Sequence, residues 1–127
     1  MQQIPASKQR ELGAAALRAY PNIAKTWGLK EKEAARLLGV PESTYRRWRK
    51  APEKAGIDVN HLERLSLILG IYKGLHILLP RKEAADTWIR RNNSHPRFGG
   101  RPPLERMLGG QVADLVVVRE HLDAARG

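Results

Sequence analysis

Apolar residues recur at helical spacing along most of the 127-residue chain. They repeat every three or four positions, which places them on one face of an α-helix. Seven segments fit this pattern: residues 7–28, 29–39, 40–50, 60–79, 80–91, 103–110 and 111–127. No segment of adequate length alternates as a β-strand does, apart from the ambiguous Leu-Val-Val-Val run at 115–118. The pattern predicts an all-α fold.

Capping residues and helix breakers mark the predicted helix boundaries. Ser7 is a candidate N-cap of the first helix, and Asn60 and Glu63 have capping-box spacing at the start of the central helix. Gly39 closes the second helix, because a positive φ is least costly for glycine. Pro41 suits the first position of the third helix, since its missing N–H would have no partner there.

Composition predicts a folded protein of one domain, or of two small domains that share a core. The chain is 42% hydrophobic and 28% charged, which is ordinary for a globular protein. It has no cysteine, so it offers neither a disulfide nor a thiolate metal site. The longest apolar run, Gly-Leu-His-Ile-Leu-Leu-Pro, is too short to cross a bilayer, and the N-terminus lacks a signal-peptide core. We therefore expect a cytoplasmic protein with no membrane partner.

Net charge points to nucleic acid but does not locate the contact. The chain carries +10, and Lys and Arg supply most of the non-specific affinity of proteins for DNA. Residues 1–63 hold 12 basic and 7 acidic residues and residues 64–127 hold 11 and 6, so each half carries +5. The densest cluster of cations is the Arg-Arg-Trp-Arg-Lys run at 46–50. This run is the candidate contact.

The spacing of small and apolar residues around this run predicts a helix-turn-helix. Such a unit needs a small residue in its first helix, a turn that suits glycine, and apolar residues that fix its second helix. Ala35 lies four residues before Gly39, and Val40, Tyr45 and Trp48 supply the apolar positions. Residues 29–51 resemble the helix-turn-helix of phage-repressor and Xre-type regulators.

With those residues buried, helical geometry turns a cationic, hydrogen-bonding face outward. The candidate DNA-binding residues are Ser43, Thr44, Arg46, Arg47, Arg49 and Lys50. The two hydroxyls suit phosphate contacts, Arg46 or Arg47 suits bidentate pairing with guanine, and Arg49 suits the flank. An ordinary surface helix or a partner-binding hairpin would also carry such charges. The coincidence of the charges with the helix-turn-helix spacing favours DNA.

A second resemblance covers residues 61–127. Trp88 is followed by an Asn-rich turn, a Phe98-Gly99-Gly100 loop, a short helix that opens at Pro103, and Gly110. This order, with a final Val/Leu-rich helix, resembles the C-terminal toxin-binding domain of the Xre/MbcA/ParS antitoxin family. The chain differs from the usual family pattern in two places, both in a loop. The Asn-Asn-Ser-His-Pro-Arg stretch at 92–97 is longer than usual, and two consecutive prolines stand at 102–103. We divide the chain into a helix-turn-helix region at 1–57 and a helical toxin-binding and dimerisation region at 58–127.

The resemblance implies a specific partner. Antitoxins of this kind resemble inhibitors of RES-domain toxins. Those toxins degrade NAD⁺ or transfer its ADP-ribose, and the C-terminal segment of the antitoxin occludes the toxin's active site. Carried onto this chain, the toxin-binding residues are Arg119, His121, Leu122, Asp123, Arg126 and Gly127. A carboxylate at Asp123 or at the chain terminus would suit the cationic subsites of the toxin that bind the phosphates of NAD⁺. A closing helix with a frayed end would explain the same residues.

The helix-turn-helix and the antitoxin resemblance also predict how the protein assembles and how its operon is regulated. One reading helix makes few contacts, so such proteins usually bind two half-sites of operator DNA as dimers. We expect a homodimer within a hetero-oligomeric complex with the toxin, and autoregulation of the operon. Gly70 and Gly74 would permit close helix approach in a dimer, although an intramolecular crossing explains them equally well.

Neither an enzyme nor a cofactor site is expected. The four histidines lie far apart without metal-ligand spacing, and the glycines at 99–100 lack the Lys-Ser/Thr of a phosphate loop. We therefore predict no catalytic residue, no metal and no cofactor. The alternative function is a stand-alone helix-turn-helix transcriptional regulator whose C-terminal half serves dimerisation or effector binding.

Overall fold

The computed structural model describes residues 5–127. Within them the chain forms seven α-helices: α1 (Ala6–Thr26), α2 (Glu31–Leu38), α3 (Glu42–Lys50), α4 (Val59–Leu78), α5 (Lys82–Thr87), α6 (Pro103–Met107) and α7 (Val112–Arg126). Short 3-10 turns follow α3 and α5, at Pro52–Lys54 and Trp88–Arg90. No strand occurs in these described residues, so the all-α prediction is confirmed. The ambiguous run at 115–118 lies inside α7.

The first helix begins earlier than the capping signal predicts. α1 starts at Ala6 after Pro5, whose carbonyl accepts a hydrogen bond from the backbone N–H of Gln9 at 2.9 Å. Ser7 lies inside α1, and no side chain of residues 5–127 caps this helix, so the prediction of a Ser7 N-cap is wrong. The buried stripe of α1 consists of Gly13, Ala14, Leu17, Tyr20, Ile23 and Ala24.

Helices α2 and α3 are joined by a turn at Gly39, which has the positive φ of 71° that the sequence predicts. The Glu33 carboxylate accepts a hydrogen bond from the Lys30 backbone N–H at 2.8 Å, which satisfies a free donor at the start of α2. Pro41 precedes α3 as its N-cap, and Glu42 takes the first helical position that was predicted for the proline.

The central helix α4 is capped by Asp58. Its Oδ1 accepts a hydrogen bond from the backbone N–H of His61 at 2.9 Å. The predicted capping box of Asn60 and Glu63 is therefore wrong, and the Asn60 side chain accepts instead from Arg64 Nε at 3.1 Å. Capping residues compete locally, and the aspartate lies two residues before the asparagine.

Helix α4 packs against α1 on one side and α7 on the other. Both of its glycines lie where α7 crosses. A Cβ on Gly70 would collide with the Arg119 guanidinium, and a Cβ on Gly74 would lie 3.8 Å from Leu122. The crossing of α4 and α7 therefore accounts for a small residue at Gly70, where the Arg119 guanidinium lies, whereas the space at Gly74 would also admit a Cβ.

One continuous core joins the helix-turn-helix to the C-terminal helices. It contains Leu17 of α1, Leu38 of α2, Leu65 of α4 and Leu115 of α7, among others. The predicted division at residue 57 falls within the segment that leads into α4, a helix that contacts both halves. That division stays a prediction.

Arginines also tie the two halves together at their backbones. On α2, Arg36 donates from Nε to the Leu108 carbonyl and from Nη2 to the Gly109 carbonyl, both at 3.1 Å. From α4, Arg64 donates to the Gly110 carbonyl at 3.0 Å. These bonds satisfy carbonyls in the turn between α6 and α7, where the helical ladder ends. The turn is thereby fixed against the helix-turn-helix.

Candidate functional site

Two aromatic residues anchor α3. Tyr45 and Trp48 are buried, as the spacing predicts, and Val40 packs partly buried against the same core. The Tyr45 ring meets Tyr20 edge-on at 5.7 Å between centroids, and Trp48 meets His61 at 5.0 Å. Burial raises the pKa of the Tyr45 hydroxyl, so the ring stays neutral in this packing.

The opposite face of α3 is exposed. Ser43, Arg46, Arg47 and Lys50 all face solvent. Thr44 is half-buried, and its Oγ1 accepts a hydrogen bond from Arg47 Nη2 at 3.3 Å. The structure therefore brings together a row of guanidinium, ammonium and hydroxyl groups on one helix face. Such a row can bind phosphate oxygens and the acceptor edge of guanine.

A carboxylate that sequence reasoning missed lies beside this face. Glu31, the first residue of α2, accepts from Arg46 Nη1 at 2.5 Å and from Arg49 Nη2 at 3.0 Å. The hydrogen bond from Arg49, together with that from Arg46 and both charges, lowers the pKa of Glu31. Arg49 also lies over the Tyr45 ring, 5.2 Å from its centroid. The sequence carries no spacing signal for this contact, because its partners are 15 and 18 residues apart and on different helices.

The predicted toxin-binding residues lie on the second half of α7, in three different settings. Leu122 is 2% exposed and packs in the core, so it is a core residue and not part of the accessible surface. Arg119 is half-buried against α4 and donates from Nε to Asp123 Oδ1 at 3.2 Å. Arg126 and Gly127 are exposed at the end of the helix. The accessible part of the segment is therefore its polar edge and its last turn.

His121 belongs to an aromatic cluster that the sequence did not predict. Its ring stacks on Trp88 at 5.8 Å and meets Phe98 and His95 edge-on at 5.1 and 4.7 Å. Burial lowers the pKa of His121, and the neighbouring His95 and Arg97 lower it further. The cluster fixes the loop after α5 to α7. His95 and His121 are 26 residues apart in the sequence, so no local spacing indicates this contact.

Comparison with known proteins gives the family. Residues 7–70 match the antitoxin Xre-like helix-turn-helix domain, which covers α1 to α3 and the start of α4. Residues 75–127 match the antitoxin Xre/MbcA/ParS C-terminal toxin-binding domain. The chain belongs to the Xre-like antitoxins. The family that the sequence suggested is confirmed, and neither matched domain is an enzyme family.

This Xre-like antitoxin also has a relative of similar length. It is 45% identical over 114 residues to the uncharacterized protein y4oB of Sinorhizobium fredii, across 89% of the antitoxin chain and 85% of the relative. Among residues 5–127 of the antitoxin, no helix has the length and apolar character needed to cross a membrane. In the same residues, no three His, Asp or Glu side chains are grouped as metal ligands.

Proposed function

We propose that this antitoxin neutralises a RES-domain toxin, which degrades NAD⁺ or transfers its ADP-ribose, by placing the end of α7 in the toxin's active site. We further propose that α3 binds operator DNA and represses the antitoxin's own operon. The observation that carries the first proposal is the position of the last turn of α7. It extends beyond Leu122, the final core residue, and all of residues 123–127 are exposed.

The anchoring of α7 supports this role. Leu115, Val118 and Leu122 bind the helix to the core on one side. The polar groups beyond them are presented without a change in the fold, so a partner would not have to supply energy to order them. Asp123 offers a carboxylate and Arg126 a guanidinium to charged subsites. The proposed segment is thus Arg119, His121, Asp123, Arg126 and Gly127, without Leu122 as a direct contact.

Truncation tests the inhibitory segment. A chain that ends after Asp123 keeps every core residue of α7, whereas one that ends after Val117 would also remove Val118 and Leu122. Co-expressed with a RES-domain toxin from the neighbouring gene, the full chain is expected to restore growth and cellular NAD⁺. The chain that ends after Asp123 is expected to fail while remaining folded by circular dichroism.

A matched control separates this effect from a general change of charge. Arg18→Gln removes one exposed positive charge from α1, as the shortened chain loses that of Arg126, and it is expected to neutralise the toxin as the full chain does. If the shortened chain protects cells as well as the full chain, the last turn is not the inhibitory element. If the full chain has no effect on the toxin, the alternative of a stand-alone regulator is favoured.

Substitution on α3 tests the DNA-binding role. Arg46→Ala with Arg47→Ala is expected to abolish specific operator binding, because each well-placed base contact contributes about 1–3 kcal/mol of discrimination. Toxin neutralisation should remain. A control with Arg18→Ala and Lys73→Ala removes two exposed cations from α1 and α4 and should retain operator binding. Loss of both activities in the first variant would contradict the separation of the two roles.

Operator binding in this proposal requires a homodimer, since a single reading helix makes too few contacts for useful specificity. Side chains of α7 already lie against Gly70 and Gly74, so a dimer contact there would have to displace the Arg119 guanidinium. Light scattering of the purified antitoxin, alone and with toxin, measures the stoichiometry. A complex with only one antitoxin chain would contradict this part of the proposal.

A further inference from the structure

Glu31 occupies an unusual position for a carboxylate, because it lies at the edge of a surface that would face DNA phosphates. Its two oxygens accept from two different arginines of α3, Arg46 at 2.5 Å and Arg49 at 3.0 Å. The Glu31 side chain is 31% exposed, so the bonds are partly shielded from water. A negative charge at this place weakens non-specific attraction to DNA. Its presence therefore calls for a role other than affinity.

The two arginines are held to different degrees. Arg49 is fixed by Glu31 on one side and by the Tyr45 ring on the other, 5.2 Å from its guanidinium carbon. Arg46 uses only Nη1 for Glu31, and its side chain remains 52% exposed. Its Nε and Nη2 groups have no other hydrogen-bond acceptor within residues 5–127. Arg46 is thus oriented but retains donors for a ligand.

We propose that Glu31 is a positioning residue that holds Arg46 in the orientation needed to read a base, and so determines sequence preference without touching DNA. This inference rests on the proposed DNA-binding function. An arginine side chain loses much rotamer freedom when it is immobilised in a complex. Because Glu31 restricts the Arg46 side chain before binding, Arg46 loses less conformational entropy when it contacts a base. This gain in affinity applies only to a base whose acceptor atoms match the guanidinium donors of Arg46.

Glu42 provides the matched control. It is the first residue of α3, as Glu31 is the first residue of α2, and both lie in a first helical turn. Glu42 is exposed and forms no ion pair in the described part of the chain. Glu42→Gln therefore removes the same charge from the same region without releasing Arg46.

The experiment begins with selection of a preferred duplex by the full-length wild-type protein from a pool of random DNA duplexes. Fluorescence anisotropy then gives the affinities of wild type, Glu31→Gln and Glu42→Gln for that duplex and for a scrambled duplex of equal composition. For Glu31→Gln, the ratio of the two affinities is expected to fall about threefold, because Arg46 is still present but is no longer held before binding. For Glu42→Gln, both affinities should rise in parallel and the ratio should not change.

Two further measurements distinguish positioning from a loss of fold. Pool selection repeated with Glu31→Gln should lose preference at one base position, which partial unfolding would not produce. In the double variant Glu31→Gln, Arg46→Ala, the ratio should equal that of Arg46→Ala alone, because Glu31 acts through Arg46. If Glu31→Gln lowers helicity, Glu31→Asp replaces it, since the shorter carboxylate keeps the charge but does not span both arginines.

An unchanged affinity ratio in Glu31→Gln would overturn the inference while the DNA-binding function stands. Additive effects of Glu31→Gln and Arg46→Ala on the affinity ratio of the double variant would also overturn the inference. If wild type selects no preferred duplex, the DNA-binding function itself fails, and the inference fails with it.

Discussion

At the scale of single residues, His121 is a side chain whose surroundings change its protonation. Trp88, Phe98 and His95 enclose its ring, and burial is the main reason why its pKa is lowered. The charge of Arg97 in the loop acts in the same direction. An imidazole in this setting stabilises the fold only while it is neutral, because its protonated form would lose water and face neighbouring positive charge.

The free energy of unfolding should therefore depend on pH through His121. The unfolded chain takes up the proton at about pH 6.5, and the folded chain only at a lower pH. Stability is fully present above the unfolded pKa and is lost as pH falls through the folded pKa. Urea unfolding between pH 7.5 and 5 should show this decline. In His121→Phe, which keeps an aromatic ring in the cluster, the decline should be smaller. Parallel curves for the two proteins would contradict the assignment.

At the scale of elements, the turn between α2 and α3 determines where α3 lies. Gly39 has φ 71°, and a Cβ there would lie 2.8 Å from the Arg64 guanidinium carbon. Arg64 in turn donates to the Gly110 carbonyl before α7. The turn is thus constrained by its own backbone and by a side chain of α4. A larger residue at 39 disturbs both.

Gly39→Ala should destabilise the protein by about 1–2 kcal/mol from the left-handed backbone alone, with a further loss from displacement of Arg64. Urea unfolding measures the change. Gly56→Ala is the matched control, because Gly56 also has a positive φ, of 62°, but no atom of residues 5–127 lies within 4 Å of the added Cβ. The difference between the losses of unfolding free energy in the two variants measures the cost of displacing Arg64. Equal losses would mean that Arg64 moves away without consequence.

At the scale of the whole molecule, the two matched domains share a core. Helix α4 contacts both α1 and α7, and Arg36 and Arg64 bind the turn before α7 to the helix-turn-helix. Arg90 also donates to the Trp27 carbonyl from Nε and to the Gly28 carbonyl from Nη2, both at 2.6 Å. Neither part can unfold without exposing apolar surface of the other.

The full chain should therefore unfold in one cooperative transition. Far-UV circular dichroism reports all helices, and tryptophan fluorescence reports Trp27, Trp48 and Trp88, which are distributed over both parts. The two signals should give the same urea midpoint. The Trp48→Phe variant, whose fluorescence comes from the other two tryptophans, should keep the two signals coincident with each other. Two separate midpoints would show that the parts unfold independently.

Local patterns in the sequence were sufficient for the helices, the glycine turn and the exposed face of α3. These features depend on residues within a few positions of one another, so periodicity and steric preference determine them. The helix starts were predicted wrongly because several candidate capping residues lie close together in the sequence. Ser7 and Asn60 are good capping residues, but competing residues nearby cap or begin the helices instead.

Tertiary structure alone decided which functional groups meet. Glu31 reaches two arginines of another helix, and His121 meets His95 across a loop. Each contact depends on how helices cross, and a crossing is set by the packing of many side chains at once. The sequence by itself therefore determined the fold class, the family and the exposed cationic face of α3. The packing of α2 against α3 and of α7 against α4 decided which of their side chains remain free to bind.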